Sequence, residues 1–263
     1  SSSMHGNELT GYVFLLRLID SLLVNYDKSE KIANLVDDLE IWINPLANPD
    51  GAYKLGDSSV YGSTRYNANF VDLNRNFPDP EDGEHPDGNA WQIENIAQME
   101  ISDDHHVILS ANFHGGAEVM NYPWDTWPQR HADDDWFQQI SHTFADTAQE
   151  HSPSGYMDGF NDGISNGYDW YSISGGRQDY HTFFKHGREI TMEISDTKLV
   201  PESQLIPHWN YLNRSLINYM KETLYGIRGI VTNENGDPLD ATITLLDHDE
   251  ENSKVVTDPE VGD

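Results

Sequence analysis

Three short segments carry side chains that could hold a metal ion and bind a carboxylate. His5 and Glu8 lie three residues apart, His114 follows an apolar run, and Asn74 and Arg75 stand together between them. Two imidazoles and one carboxylate leave zinc an open position for water, as in hydrolytic zinc sites. Arginine pairs with a carboxylate through two hydrogen bonds, and asparagine adds amide donors. The set therefore indicates a zinc enzyme that binds a free carboxylate.

The spacing of His5 and Glu8 does not by itself identify metal ligands. With 12 histidines and 45 acidic residues in the chain, such pairs also arise by chance. Context favours His5 and Glu8, which lie in a glycine-containing loop, and His114, which ends an apolar run before two glycines. Taken alone, His114 is more typical of a hydrogen-bonded core histidine, and a salt bridge would explain Arg75. The same spacing occurs in the pairs His131/Asp134, His186/Glu189 and His248/Glu251.

Length and composition predict a globular protein. The 263 residues, 37% of them hydrophobic, can form one substantial core and a small second module. No apolar run approaches the roughly 20 residues needed to cross a bilayer. The net charge of -30 disfavours nucleic acid and anionic membranes as partners. It is typical of a solvated surface and would also attract a cationic substrate. The chain has no cysteine, which excludes disulfides, thiol catalysis and cysteine-ligated zinc.

Hydrophobic periodicity predicts helices that alternate with strands. Asn48-Pro49-Asp50-Gly51 is a strong turn signal, and the acidic residues 78–89 are typical of a solvated loop. In the first predicted helix, the apolar residues at helical spacing are Leu9, Tyr12, Val13, Leu16, Ile19 and Leu23. The predicted helices span residues 9–24, 94–99, 136–149 and 205–224, and the predicted strands span residues 39–43, 107–113 and 189–194.

This alternation predicts an α/β fold with a mixed central sheet flanked by helices. In such sheets, ligands collect at the carboxyl ends of strands. Residues 227–232 and 241–246, separated by a turn at 233–238, predict a β-hairpin or meander. We therefore expect a catalytic domain at 1–224 and part of a small β-domain at 225–263, with too few strands to close a sandwich. The first residues have neither the basic nor the apolar region of a signal peptide, so we expect that any signal peptide has been removed or was never included.

The sequence resembles the zinc metallocarboxypeptidases of the carboxypeptidase A type, most closely their carboxypeptidase N/E (regulatory) branch. The resemblance implies a carboxypeptidase-like (phosphorylase/hydrolase-like) α/β fold, followed by a transthyretin-like β-sandwich from Tyr225 onward. In the family several strands precede the first zinc-ligand motif, whereas Ser1 to Met4 precede it here, so we expect a domain that lacks its leading strands. The matching motifs are Met4-His5-Gly6-Asn7-Glu8, Asn48-Pro49-Asp50-Gly51, Arg65 to Pro78, Asn112-Phe113-His114-Gly115-Gly116, Asn121 to Asp125, Asn166 to Asp179 and Glu189 to Ser195.

The resemblance implies a role for each residue of the metal site. His5, Glu8 and His114 would bind one Zn²⁺ per chain, and Asp72 would orient His5, which fixes its tautomer. Glu193 would be the general base that takes a proton from water and passes it to the leaving amine. Glu189, in the same predicted strand, is the competing candidate and is expected to be structural.

The resemblance also implies how a substrate would be bound. Arg65 would polarise the scissile carbonyl, an effect worth about 3 to 4 kcal/mol per donor in acyl-transfer sites. Asn74, Arg75 and Tyr171 would bind the terminal carboxylate, although Tyr171 taken alone would more often be a packed aromatic. The last expectation concerns specificity: Asp125 and Gln178 would line a pocket for C-terminal Arg or Lys, and Arg177, where the family usually has Met, would weaken that preference.

These expectations combine into a zinc exopeptidase that removes the C-terminal residue of peptides or proteins, favouring Arg or Lys. Its partners would be peptide chain ends, and the resemblance implies a secreted or periplasmic location. Two alternatives stay open: a zinc amidohydrolase or deacylase acting on a non-peptide or cell-wall amide, and a non-catalytic binding protein on the same fold. The pair Asn74-Arg75 favours a substrate with a terminal carboxylate.

Overall fold

Four strands form the central sheet of the computed structural model, which describes residues 1–250, 252–257 and 259–262. They lie in the order β1-β4-β2-β3, with β4 parallel to β1 and antiparallel to β2, and β3 parallel to β2. The sheet is therefore mixed, as the sequence predicts. The strands are β1 (Leu109–His114), β2 (Ala117–Tyr122), β3 (Ile164–Asn166) and β4 (Arg188–Ser195).

Helices flank this sheet. The predictions at 9–24, 94–99, 136–149 and 205–224 are confirmed as α1, α4, α5 and α8, whereas α2, α7 and two short helices were not predicted from the sequence. No described helix is long and apolar enough to cross a membrane. The helices are α1 (Thr10–Asn25), α2 (Glu30–Asp38), α3 (Pro49–Ala52), α4 (Ile93–Asp104), α5 (Asp134–Glu150), α6 (Gly167–Trp170), α7 (Arg177–Phe184) and α8 (Glu202–Glu222).

The two faces of β4 have different surroundings because side chains alternate along a strand. Ile190, Met192 and Ile194 are fully buried in the main hydrophobic core, which also contains residues of α1, α5 and α8. Glu189 and Glu193 alternate with these residues and are also buried, although both are acidic. Helix α7 packs against β4. This strand therefore separates the apolar core from a buried polar region.

Two predictions near the amino terminus differ from the structure. In α1 the buried side chains include Phe14, Leu15 and Leu18, whereas Leu16 and Leu23 of the predicted set are exposed. Apolar residues occur on more than one side of this helix, so helical spacing alone fits two different stripes.

The strand predicted at 39–43 is also wrong, because residues 39–44 belong to no assigned strand or helix. The backbone N–H of Ser2 donates to the carbonyl of Asn44 at 2.9 Å, but a strand needs a continuous ladder of such bonds. The apolar alternation is present, yet the described residues supply no such ladder to this segment.

The β-hairpin predicted between residues 227–232 and 241–246 does not form, but its turn and part of its second strand are present. Strand β5 (Thr242–Ile243) pairs antiparallel with β6 (Val255–Val256). The turn at 233–238 is present, since the side-chain oxygen of Asn233 accepts backbone bonds from Asn235 and Asp237. Residues 227–232 do not form a strand; Thr232 makes a single bridge to Pro238.

Candidate active site

The loop that carries His5 and Glu8 is held by the turn that follows Asn48. The side chain of Asn48 donates to the carbonyl of Met4 at 3.0 Å and accepts from the N–H of Gly51 at 2.8 Å. Gly6 packs directly on this turn: a Cβ atom on Gly6 would lie 2.3 Å from the carbonyl carbon of Gly51. Only glycine allows this approach, so the two glycines and Asn48 fix the direction of the loop.

Three predicted metal ligands converge at one point. His5 Nδ1 lies 3.0 Å and His114 Nδ1 2.9 Å from the same oxygen of Glu8, and the two imidazole nitrogens are 3.1 Å apart. All three side chains are buried, and their donor atoms lie within 4.8 Å of one another. Two imidazoles and one carboxylate fit a tetrahedral zinc site with one position left open. Among the described residues, this is the only group of three side chains that could hold a metal ion. The pair His248/Glu251 is not covered by this statement, because Glu251 lies outside the described residues.

The protonation states of these ligands suit a cation. Burial would raise the pKa of Glu8, but His5 and His114 hold it well below its usual range. Burial lowers the pKa of His114 to about 4, so this imidazole is neutral at pH 7. Zinc requires its carboxylate ligand ionised and its imidazole ligands neutral, and the pKa shifts of Glu8 and His114 favour these forms.

Asp72 connects the metal ligands to the predicted carboxylate-binding segment. One of its oxygens accepts from His5 Nε2 and from the backbone N–H of Asn74, both at 3.0 Å, and the other accepts from Arg65 Nε at 2.7 Å. A bond at Nε2 leaves Nδ1 of His5 as the acceptor atom that faces Glu8 and His114. Burial would raise the pKa of Asp72, but His5 and Arg65 hold it well below its usual range.

Replacing Asp72 by asparagine is expected to weaken zinc binding about 10- to 100-fold, because the imidazole of His5 loses its charged partner. Zinc affinity can be measured by competition with a chromogenic chelator. Asp20→Asn on the exposed side of α1 is the control and should leave affinity unchanged. An unchanged affinity in Asp72→Asn would show that Asp72 does not orient His5.

Glu193 lies beside His114 at the carboxyl ends of two parallel strands, because the two residues are register partners in β1 and β4. Its side chain is buried, and Oε2 has no hydrogen-bond partner among the described residues. Burial, and then the charge of Glu8, raises the pKa of Glu193 to about 8. A bound divalent cation would act in the opposite direction. The position suits a group that accepts and returns a proton.

The predicted carboxylate-binding residues line the same cavity as the metal ligands, a cleft of about 160 Å³. Asn74 is buried, and its side-chain oxygen accepts from the backbone N–H of Arg177 at 3.0 Å. Arg75 donates to the carbonyl of Asn74 at 2.6 Å. Arg65 lies beside the metal ligands, with Nη1 3.1 Å from His5 Nδ1. Tyr171 lines the cleft and is 51% exposed, so its ring is accessible to a substrate.

The pocket predicted to determine specificity contains Asp125 but not the guanidinium of Arg177. Gln178 Nε2 donates to Asp125 Oδ1 at 3.2 Å, and burial followed by the nearby Asp179 raises the pKa of Asp125 well above its usual value. A Cβ atom on Gly167 would come within 2 Å of Asp125 Oδ1, so Gly167 leaves room for this carboxylate. The expectation that Arg177 weakens a basic preference is not supported. Its guanidinium points away from the cleft and binds Glu189 at 2.9 Å.

Several side chains in the cleft were not identified from the sequence. Lys198 Nζ lies 2.5 Å from Glu8 Oε1, but a lysine in a loop five residues after Glu193 carries no recognisable pattern. Glu189 forms a buried ion pair and does not line the cleft, in agreement with a structural role. The other lining residues missed by sequence reasoning are Ala117, Asn121, Trp170, Ile173 and Thr191.

The fold and the donor set define an α/β protein with a buried zinc-type site of two histidines and one glutamate. Residues 1–214 match the sequence model of the zinc carboxypeptidases. Mouse carboxypeptidase M is 38% identical over 251 residues, covering 90% of this chain and 56% of its own length. The catalytic chain of mouse carboxypeptidase N is 34% identical over 298 residues, covering 99% of this chain and 64% of its own length. The chain therefore belongs to the zinc carboxypeptidase family, whose members depend on zinc.

The chain spans little more than half the length of carboxypeptidase M. It is 37% identical to human carboxypeptidase D over 268 residues and spans 19% of the length of that protein.

Solved structures agree with the fold. Carboxypeptidase A from Helicoverpa armigera superposes with a TM-score of 0.68 at 21% identity, covering 84% of this chain and 59% of the other. Thrombin-activatable fibrinolysis inhibitor gives a TM-score of 0.68 at 17% identity, covering 83% and 60%. These likenesses establish the carboxypeptidase-like α/β architecture.

Proposed function

We propose that the chain is a zinc-dependent exopeptidase that hydrolyses the C-terminal peptide bond of peptides or proteins. The observation that carries the proposal is that the metal ligands and the carboxylate-binding pair Asn74-Arg75 line one cleft of about 160 Å³. A chain end bound by Asn74 and Arg75 would place its last peptide bond beside the ligands. Internal peptide bonds have no free carboxylate for this pair to bind, so they would not be positioned.

Each residue of the cleft has a distinct part in this reaction. His5, Glu8 and His114 would hold the Zn²⁺, which would supply Lewis acidity toward a carbonyl and toward water. Glu193, buried beside His114, would accept a proton from the attacking water and return it to the leaving amine. The guanidinium of Arg65 would stabilise the negative charge that develops on the carbonyl oxygen.

The cleft also favours a basic C-terminal residue. Asp125 is buried, and its carboxylate has no cationic partner within salt-bridge distance among the described residues. A C-terminal Arg or Lys would pair with Asp125 directly, whereas a neutral side chain would leave this carboxylate without a direct ion pair. The chain carries 30 more acidic than basic side chains, which would attract such cationic chain ends.

The proposal is tested with hippuryl-arginine and its C-terminal amide. We expect the free acid to be hydrolysed and the amide to react at least about 100-fold more slowly, because the amide gives Asn74 and Arg75 no carboxylate. A chelator should abolish the activity and added zinc should restore it. Equal rates for the acid and the amide, or faster cleavage of N-acetylarginine, would instead favour an amidohydrolase or deacylase. One equivalent of bound zinc without turnover of any peptide would favour a non-catalytic binding protein.

The proposal extends to the organisation of the chain. Residues 1–224 would form the catalytic domain and residues 225–263 part of a transthyretin-like module. The antiparallel pair β5-β6 supports a β module here. A secreted or periplasmic location, expected from the resemblance, belongs to the same proposal and can be tested by fractionating cells that express the full coding sequence.

A further inference from the structure

Arg177, the first residue of α7, makes a buried ion pair with Glu189 of β4. Its Nε atom lies 2.9 and 3.1 Å from the two oxygens of Glu189, and both residues are at most 4% exposed. The remaining guanidinium nitrogens donate to the side chains of Gln98 and Ser110 and to the carbonyl of Ala111. A guanidinium in which each of the three nitrogens has a partner has a well-defined position, so it fixes the start of α7 relative to β4.

The backbone of the same residue holds Asn74, one member of the proposed carboxylate-binding pair. The N–H of Arg177 donates to Asn74 Oδ1 at 3.0 Å. Because its oxygen is bound in this way, the amide of Asn74 has a fixed orientation, and its NH₂ group is the part left to donate to a ligand. Asn74 lines the cleft. A shift at the start of α7 would therefore move a group that is proposed to contact the substrate's carboxylate.

The next residue of α7 extends this arrangement to the side-chain pocket. Gln178 Oε1 accepts from the backbone N–H of Thr191 at 2.8 Å, while its Nε2 donates to Asn121 and Asp125. The alternation of β4 places Glu189 and Thr191 on one face with Glu193. Arg177 therefore binds Glu189, and Gln178 binds Thr191, two positions further along β4. These contacts fix where α7 lies along the strand that carries Glu193, the proposed general base.

Asp179 completes the first turn of the helix. Its carboxylate accepts from the backbone N–H groups of Asp125 and Thr126 at 2.8 to 3.0 Å. Three consecutive residues of α7 therefore hold three parts of the substrate cleft: Asn74, the side chain of Asp125, and the backbone that carries Asp125.

We propose that the Arg177–Glu189 ion pair positions the substrate cleft, so that Arg177 is a positioning residue for both the carboxylate-binding amide and the side-chain pocket. The inference rests on the proposed function, because it assumes that this cleft binds a C-terminal residue. It gives Arg177 a role although its side chain touches no substrate. A pair that only stabilised the core would leave ligand affinity unchanged when removed without loss of folding.

The test compares the wild-type zinc-loaded chain with the double variant Arg177→Met/Glu189→Leu. Removing both charges leaves no unpaired ion in the core, so the variant is designed to fold. We expect the dissociation constant for L-arginine, measured by calorimetry, to rise about tenfold. The affinity for agmatine, which lacks the carboxylate, should fall less in the double variant than the affinity for L-arginine, because agmatine makes no contact with Asn74. If the chain hydrolyses hippuryl-arginine, KM should rise by a similar factor while kcat changes less than about threefold.

Two further variants separate positioning from stability. Arg188 and Asp133 form another ion pair, with Arg188 at the start of the same strand β4, and their nitrogen and oxygen atoms are 2.6 Å apart. The variant Arg188→Met/Asp133→Leu should change the melting temperature without changing affinity for L-arginine. Arg177→Lys keeps a positive charge for Glu189 but lacks the planar fork that reaches Gln98 and Ser110. We expect it to fold and to bind L-arginine with intermediate affinity.

An unchanged dissociation constant for L-arginine in the folded double variant would overturn the inference, as would an equal loss in the Arg188/Asp133 control. If the double variant does not fold, wild-type affinity in Arg177→Lys would overturn it. The proposed function fails separately. A wild-type chain that binds L-arginine but cleaves no C-terminal peptide contradicts the proposed activity and leaves the positioning role standing. A wild-type chain that binds no L-arginine contradicts both.

Discussion

Replacing Glu193 by glutamine is expected to lower kcat for hippuryl-arginine by about 10³-fold while one equivalent of zinc stays bound. Glutamine has nearly the same shape, but its amide cannot accept a proton from water and return it to the amine, and such proton transfers contribute about 10²- to 10⁴-fold. Glu193 is the register partner of His114 and is not one of the three converging ligands. The substitution should therefore remove chemistry without removing metal. Zinc content by atomic absorption and steady-state kinetics measure the two properties.

The matched control is Glu118→Gln on the neighbouring strand β2. Glu118 is paired in register with Ile194 of β4 and does not line the cleft, so its replacement should leave kcat unchanged. Hydrolysis at the wild-type rate by Glu193→Gln would contradict the proposed mechanism. Loss of zinc from this variant would instead place Glu193 among the ligands.

The structure brings His5, Glu8 and His114 together although Glu8 and His114 are 106 positions apart in sequence. Context around each residue predicts this grouping better than spacing does: the loop glycine before α1 and the glycines after β1 mark places where the backbone turns sharply. Lys198 has no such marker. Its contact with Glu8 depends on the path of the loop after β4, which the sequence does not specify.

Arg177 shows why residue type alone does not predict a role. An arginine next to Gln178 in sequence suggests a second charge in the pocket. At the start of a helix, however, neighbouring side chains point in directions about 100° apart. Gln178 therefore faces Asp125 while Arg177 faces Glu189. The repulsion that the sequence suggested is replaced by an ion pair outside the cleft.

The fold is predicted well where a segment buries one face and poorly where pairing decides its structure. Helices α5 and α8 are long and strongly amphipathic, and both are found near their predicted limits. Residues 39–43 alternate like a strand, but alternation cannot show whether a neighbouring strand supplies hydrogen bonds. The same reason explains why residues 227–232 lack the predicted strand structure while β5 pairs with β6.

Replacing Asp125 by asparagine is expected to reduce kcat/KM for a C-terminal arginine peptide by about 30- to 100-fold and to leave a C-terminal leucine peptide nearly unaffected. A buried carboxylate that binds a guanidinium contributes about 2 to 3 kcal/mol more than a neutral amide in the same place. Asparagine retains the size of the side chain and an oxygen that can accept from Gln178. The change therefore isolates the charge, and the measurement is the ratio of kcat/KM for two hippuryl dipeptides.

The pKa of Asp125 gives this prediction a second part. Burial, reinforced by the charge of Asp179, raises that pKa well above its usual value, so without a cationic ligand the carboxyl group is protonated more readily than an exposed aspartic acid. Binding of arginine favours the ionised form, and affinity for a basic chain end should therefore fall as pH decreases and the carboxyl group takes up a proton. Asp125→Asn should lose this dependence. The matched control is Asp169→Asn, since Asp169 is an exposed residue of α6 that pairs with Arg130. Equal selectivity in Asp125→Asn and in the wild type would show that another group selects the C-terminal side chain.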